Sequence, residues 1–228
     1  MSEIVLALDV KDLTSAEKIL EMLGPDLKYV KIGPRLFCQG GREFILSVGK
    51  NWKVFLDIKL HDIPNTVKDA VSAIAEMGIF GLTLHVAGGK RMLCEAVKGR
   101  NEANPDMKLF GVTVLTSINE EEWKAVSPGC GIEDAIEMRT KLADEAGIDG
   151  VVCSPRDLES IKKVSDKLLT LVPGVRPEGT SKDDQARIMT PGQAKKKGAD
   201  FIVIGRPILL ASDPLEALTA IKGEVACS

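Results

Sequence analysis

Residues 54–64 read Val54-Phe55-Leu56-Asp57-Ile58-Lys59-Leu60-His61-Asp62-Ile63-Pro64, and on this stretch the fold turns. Its opening, Val54-Phe55-Leu56, has the β-branched and aromatic character of a buried strand. Side chains alternate along a strand, so Asp57 and Lys59 are expected to point the same way. Asp62, followed by Ile63-Pro64, falls in the loop beyond, and helical sequence starts near Pro64. The stretch is one strand–loop–helix unit whose carboxyl end carries two acids bracketing a lysine. Burial makes such charges costly unless they are paired. One reading is structural, with Asp57 and Lys59 an ion pair inside a barrel and Asp62 a helix cap. The other is a reactive site.

Outward from this unit the pattern repeats. Short apolar runs recur at Ile4–Asp9, Tyr29–Gly33, Val54–Lys59, Gly81–Val86, Leu109–Thr116, Gly150–Ser154, Leu168–Val172 and Phe201–Gly205. Between them, apolar residues fall at three- and four-residue spacing, as in Val67, Val71, Ile74, Ala75 and Met77, or Ala135, Ile136, Met138, Leu142 and Ala143. Gly78, Gly147 and Gly198 have the placement of helix C-terminal glycines, each shortly before a strand. Eight strands alternating with eight helices predict an α/β fold, a single (β/α)8 TIM barrel over residues 1–228. A doubly wound open sheet competes, but no G-x-G-x-x-G follows the first strand. No Pro/Gly/Ser-rich linker or low-complexity tract divides the chain.

Composition removes other classes. With 30 basic and 33 acidic residues the net charge is −3, which gives no basis for a nucleic-acid or membrane-surface partner. The compact basic run Lys195-Lys196-Lys197 reads as a solvated helix face. The cysteines (Cys38, Cys94, Cys130, Cys153, Cys227) are odd in number and scattered, without C-x-x-C or zinc-like spacing. A reducing, cytoplasmic setting is expected. The amino-terminal run lacks a basic lead or cleavage site, and no apolar run reaches the length of a membrane span.

A barrel collects chemistry at the carboxyl ends of its strands, with phosphate often held after strands seven and eight. Those ends here offer Asp9, Lys31, Asp57 with Lys59, His85, Thr116-Ser117 and Gly205-Arg206. Gly205-Arg206-Pro207 suits an anion, because glycine admits close backbone approach and arginine adds a bidentate charge. From Pro173-Gly174-Val175-Arg176 to Arg187 the chain lacks apolar periodicity. A loop of that length is expected to be a lid or binding loop, and Arg176 and Gln185 suit phosphate oxygens. His85 is expected to be a hydrogen-bonded barrel residue and His61 a core or interface histidine. No ligand set for a metal accompanies them. Trp52, Trp123 and Met92 read as packing residues.

Taken together, these residues resemble the orotidine 5′-monophosphate decarboxylase family, in the pattern of its bacterial branch, over nearly the whole chain. The resemblance rests on Leu8-Asp9, Val30-Lys31-Ile32-Gly33, Phe55 through Thr66, and His85-Val86-Ala87-Gly88-Gly89. It continues in Val114-Leu115-Thr116-Ser117, Pro173 through Pro177, Asp184 through Pro191, and Ile204-Gly205-Arg206-Pro207. It implies conversion of orotidine 5′-monophosphate to UMP and carbon dioxide in pyrimidine synthesis, by a carboxy-lyase without cofactor or metal. By the same resemblance Lys59 donates the proton, Asp57 faces the substrate carboxylate, Lys31 lies between Asp57 and the ribose, and Asp9 binds near the ribose hydroxyls. Thr116 and Ser117 contact the pyrimidine, and Arg176, Gln185, Gly205 and Arg206 hold the phosphate. It further implies a homodimer in which Asp62 and Thr66 reach into the partner's site.

The chemistry is consistent with these residue types. Loss of carbon dioxide from an sp² ring carbon leaves an electron pair with no conjugated sink, so fixed charges and a proton donor must take that role. Two other readings stay open. Magnesium-dependent sugar-phosphate decarboxylases and aldolases share a D-x-K-x-x-D string, and a non-catalytic nucleotide-binding protein could keep the fold.

Overall fold

The computed structural model describes residues 2–177 and 189–228. Among them eight parallel strands close in sequence order into a barrel: β1 (Glu3–Ala7), β2 (Tyr29–Ile32), β3 (Lys53–Leu60), β4 (Gly81–His85), β5 (Lys108–Val112), β6 (Gly150–Val152), β7 (Leu169–Val172) and β8 (Phe201–Ile204). The helices outside are α1 (Leu13–Leu23), α2 (Pro34–Gly49), α3 (Pro64–Ala75), α4 (Gly89–Ala103), α5 (Glu120–Val126), α6 (Ile132–Ala146), α7 (Leu158–Val164), α8 (Pro191–Lys196), α9 (Arg206–Leu209) and α10 (Pro214–Cys227). The (β/α)8 expectation holds, and Gly78, Gly147 and Gly198 all take positive φ just before the next strand. None of these helices is long and apolar enough to cross a membrane.

Two local expectations need correction. The fifth strand ends at Val112, four residues short of Thr116, because a strand lasts only as long as its partner. Val112 pairs with Val152, where β6 stops. The Thr113 hydroxyl then donates to the Val152 carbonyl at 3.1 Å, and the chain departs. In the connection that follows, α5 is closed by a reciprocal capping box between Asn119 and Glu122. The Lys195-Lys196-Lys197 run is not uniformly solvated either. Lys195 Nζ donates to the Val225 carbonyl at 2.7 Å, fastening α8 to α10, and Lys197 pairs with Glu159.

The core has two shells. Leu, Ile and Val residues between strands and helices form the larger, and inward-facing residues fill the barrel itself. Aromatic rings plug the lower half of the barrel. Tyr29, Phe55, Phe80, Phe110 and Phe201 stack with centroids 5.0 to 5.9 Å apart, mostly edge to face. Space for two of the rings comes from glycines on neighbouring strands. A Cβ on Gly81 would lie 2.9 Å from the Phe55 ring, and one on Gly150 would lie 2.6 Å from the Leu169 carbonyl oxygen and 2.7 Å from the Phe110 ring.

Carboxylates tie the amino-terminal rim. Asp149, just before β6, accepts the Leu109 amide at 3.0 Å and the Arg100 guanidinium at 2.7 Å. Asp200, just before β8, accepts the Thr170 amide at 2.9 Å. That rim serves stability and leaves the opposite rim to chemistry.

Gly150→Ala must push either a backbone carbonyl or a buried ring, so it should cost about 1–3 kcal/mol. Gly223→Ala on α10 meets nothing within 4 Å and should instead stabilise by roughly 0.5–1 kcal/mol. Urea-unfolding midpoints of the two variants should move in opposite directions.

Candidate active site

Strand β3 is regular only as far as Leu56. Leu56 pairs with Leu82 and Leu60 with Leu84, so residues 57–59 oppose Thr83 alone. The excess is absorbed as a bulge, and Lys59 takes a φ of 49°, the positive φ of a non-glycine residue among those described. A left-handed conformation costs a side-chain-bearing residue roughly 1–2 kcal/mol. Asp57 and Lys59 do share the barrel mouth, as the sequence predicts, but through this bulge and not through simple alternation.

Thr83 closes the gap in the ladder. Fully buried, it accepts the Lys59 backbone N–H at 3.0 Å and donates its hydroxyl to Asp57 Oδ1 at 2.9 Å. Asp57 receives two further donors, Lys59 Nζ on Oδ1 at 2.8 Å and Lys31 Nζ on Oδ2 at 2.8 Å. Burial pushes the Asp57 carboxyl up, but the Lys31 and Lys59 ammoniums outweigh it and hold the group at about 2. Within the chain the cluster is therefore a carboxylate between two ammoniums, not the lysine between two carboxylates that the sequence suggests.

Asp62 is elsewhere. It is exposed, and its Oδ1 accepts the Ile63 N–H at 2.6 Å; α3 begins without a side-chain cap, so Asp62 does not cap that helix. His61, Ile63, Asn65 and Thr66 are exposed with it, Ile63 by 67 %. The His61 ring lies 5.3 Å from that of His85, whose imidazole is held below its usual pKa by burial and then by the neighbouring His61 and Lys59. Among the described residues no cluster of three or more His, Cys, Asp or Glu side chains could hold a metal ion.

Above the aromatic plug lies a cavity of about 320 Å³. Asp9, Lys31, Asp57 and Lys59 line one side of it, Thr116 the β5 loop, and Arg176, Gly205 and Arg206 the side after β7 and β8. Arg176 is buried, with its backbone N–H donating to the Met189 carbonyl at 3.0 Å. The Thr116 loop is anchored from behind by buried Trp123, whose indole N–H donates to the Cys130 carbonyl at 2.8 Å and whose ring packs on the Arg139 guanidinium. Ser117, Asp62 and Thr66 do not line the cavity, and Gln185 lies outside the described residues, as does most of the loop expected to close over a phosphate.

Sequence reading missed Thr83 and the apolar wall of Val112, Val114, Val152, Leu171 and Val203. A signal for Thr83 was present, since it is the hydroxyl in the otherwise apolar run Gly81-Leu82-Thr83-Leu84. The result is a slot with apolar walls, arginines at one end and an ordered row of alternating charges at the other. It suits a flat polar ring tethered to an anionic group.

Comparison with known proteins agrees with that shape. Residues 2–221 match the model of the orotidine 5′-phosphate decarboxylase / HUMPS family. Orotidine 5′-phosphate decarboxylase of Pseudomonas putida (strain W619) is 40% identical over 225 residues, covering 97% of this chain and 96% of its own. That of Pseudomonas paraeruginosa (strain DSM 24068 / PA7) is 41% identical over 227 residues, covering 98% and 97%. The crystal structure of orotidine 5′-phosphate decarboxylase from Lactobacillus acidophilus superposes with a TM-score of 0.89 at 36% identity, over 99% of both chains.

The charge row carries a pH signature. A carboxyl depressed from 3.8 to about 2 stabilises the fold fully above its unfolded value and loses that contribution as pH falls through the folded one. Asp57→Asn strands the Lys31 ammonium, so at neutral pH it should cost roughly 3–5 kcal/mol. In urea titrations the gap between wild type and Asp57→Asn should narrow as pH falls from about 4 towards 2.

Proposed function

The chain belongs to the orotidine 5′-phosphate decarboxylase / HUMPS family, and from that premise we propose that it converts orotidine 5′-monophosphate to UMP and carbon dioxide with Lys59 as proton donor. It is a carboxy-lyase. The observation that carries the mechanism is the Lys31–Asp57–Lys59 row at one end of a cavity whose other end bears Arg176 and Arg206.

With the phosphate on the two arginines and the ribose near Asp9 and Lys31, the pyrimidine lies along the apolar wall. Its carboxylate then meets the Asp57 carboxylate. As the bond to that carboxylate breaks, its carbon leaves as neutral carbon dioxide and the electron pair stays on the ring carbon. The Lys59 ammonium stabilises that pair and then gives it a proton, and the amine is reprotonated from solvent. Like-charge proximity to Asp57 is present before the bond breaks and relieved afterwards. The bulge and three donors prevent Asp57 from retreating.

One charge pair at 4 Å is worth about 4 kcal/mol at an effective dielectric near 20. Enzymes at the high end lower a barrier by about 20 kcal/mol or more. Lys59 therefore supplies a part, and the phosphate grip supplies binding energy that holds the ring in place.

The exposed residues His61, Asp62, Ile63, Asn65 and Thr66 support the homodimer reading, in which Asp62 and Thr66 complete the site of a second copy. Ser117 and Gln185 belong to the substrate-binding set on the same reading, facing the pyrimidine and the phosphate. The whole chain, residues 1–228, acts as one catalytic domain. Its free cysteines fit a reducing cytoplasm, and its net charge of −3 gives no footing for nucleic acid or a membrane surface.

Turnover of orotidine 5′-monophosphate, followed by loss of ultraviolet absorbance, should be rapid, unchanged by EDTA and abolished in Lys59→Ala. Loss of activity on chelation would transfer the assignment to a magnesium-dependent sugar-phosphate enzyme. Arg206→Ala should lower kcat/KM by about 10²-fold or more, equivalent to about 2.7 kcal/mol, although Arg206 touches no reacting atom; a near-normal value would refute the phosphate assignment.

A further inference from the structure

We propose that Thr83 is the residue that positions the catalytic pair, fixing both the Asp57 carboxylate and the Lys59 backbone through a single hydroxyl. The inference rests on the proposed reaction and adds to it a residue that does not line the substrate cavity.

The bulge in β3 makes such a device necessary. Three residues, 57–59, face one residue of β4, so the ladder between Leu56 and Leu60 cannot supply ordinary strand partners. The Lys59 amide would be left without an acceptor at a partly buried site, and a fully buried orphaned N–H costs about 1–3 kcal/mol. Thr83 Oγ1 accepts that amide at 3.0 Å. Its own proton can then go to one place, and it goes to Asp57 Oδ1 at 2.9 Å. The direction is set by chemistry, because an ionised carboxylate only accepts.

One hydroxyl thus does two things. It holds Lys59 at a φ of 49°, which is what aims its Nζ back at Asp57 Oδ1. It also occupies Oδ1 together with Lys59 Nζ, so that Asp57 is held against rotating its charge away when a second carboxylate arrives. The Thr83 side chain is wholly buried and does not line the cavity. Its β-branch also limits χ1, so the hydroxyl is presented with little freedom.

A residue of this kind affects the step in which charges oppose one another, more than the binding of the substrate. Relaxing Asp57 would relieve the ground state, lowering kcat while leaving KM unchanged or lower. A merely structural hydrogen bond would lower the unfolding midpoint and leave kcat per folded molecule intact.

The test compares wild type, Thr83→Val, Thr83→Ala and Thr83→Ser, each with orotidine 5′-monophosphate turnover, inhibition by UMP and a urea-unfolding midpoint. Thr83→Val keeps the shape and removes the hydroxyl; Thr83→Ala serves in its place if the valine variant does not fold. The hydroxyl-free variants should lose about 10²-fold in kcat, the scale of a small misplacement of reacting groups. KM and UMP inhibition should be unchanged or tighter, and Thr83→Ser should restore kcat to near wild type. Wild-type kcat in a folded hydroxyl-free variant, a loss confined to KM, or a serine variant as impaired as valine would each overturn the inference while the reaction stands. A wild-type protein that does not turn over the nucleotide would overturn both.

Discussion

A buried carboxylate held between two ammoniums sets the terms for the rest of this molecule. Asp57 is 8 % exposed and Lys31 is 9 % exposed. Neither could stay charged at that depth alone, since an unpaired buried ion costs several kcal/mol. Their pairing needs β2 and β3 side by side, and the added hydroxyl of Thr83 needs β4 beside β3. Three consecutive strands of a closed parallel barrel meet that need with the shortest connections. The lower half of the barrel is built differently. There the rings of Tyr29, Phe55, Phe80, Phe110 and Phe201 fill the interior, keeping water from reaching the charges from below.

The site is also where the fold departs from its own rules. Lys59 is left-handed and its strand is bulged. The left-handed residue alone costs roughly 1–2 kcal/mol. The opposite rim is built the other way, with the Asp149 and Asp200 carboxylates satisfying strand amides and glycines admitting tight ring packing. Satisfied strand amides mark one rim, and the left-handed residue lies at the rim that bears the cavity.

The barrel was legible in the sequence because the alternation of apolar strand and amphipathic helix is local, and each strand–helix unit can be read without its neighbours. The end of β5 was not legible, because Val114-Leu115-Thr116 is as strand-like as Leu109 through Val112. Only the length of β6 decides where pairing stops. Asp57 and Lys59 were placed at one mouth by an alternation that β3 does not follow; a bulge leaves no mark in composition. Thr83 escaped because its importance lies in what stands across from it. Asp9, Lys31, Thr116, Arg176, Gly205 and Arg206 were found at the cavity because strand ends converge in any such barrel. Asp62 and Thr66 stand apart from it, because the run after β3 turns outward to solvent.

The division between strand and loop in this site follows from what each end must do. On the proposed reaction, the charges set against the substrate carboxylate gain from being held within a fraction of an ångström; they rise from β2 and β3, braced by Thr83 of β4, with partners at 2.8–3.0 Å. Groups that hold a phosphate tolerate movement, because charge acts over distance and arginine can re-form its contacts. On the proposed function those are Arg176 and Arg206, in the connections after β7 and β8. If the substrate is gripped by loops and opposed by strands, binding energy won at the loops is available to press its carboxylate toward Asp57. A softer row of charges would yield to that pressure and bind the nucleotide well without transforming it. On the proposed reaction, rigidity at the strand end turns affinity at the loop end into rate.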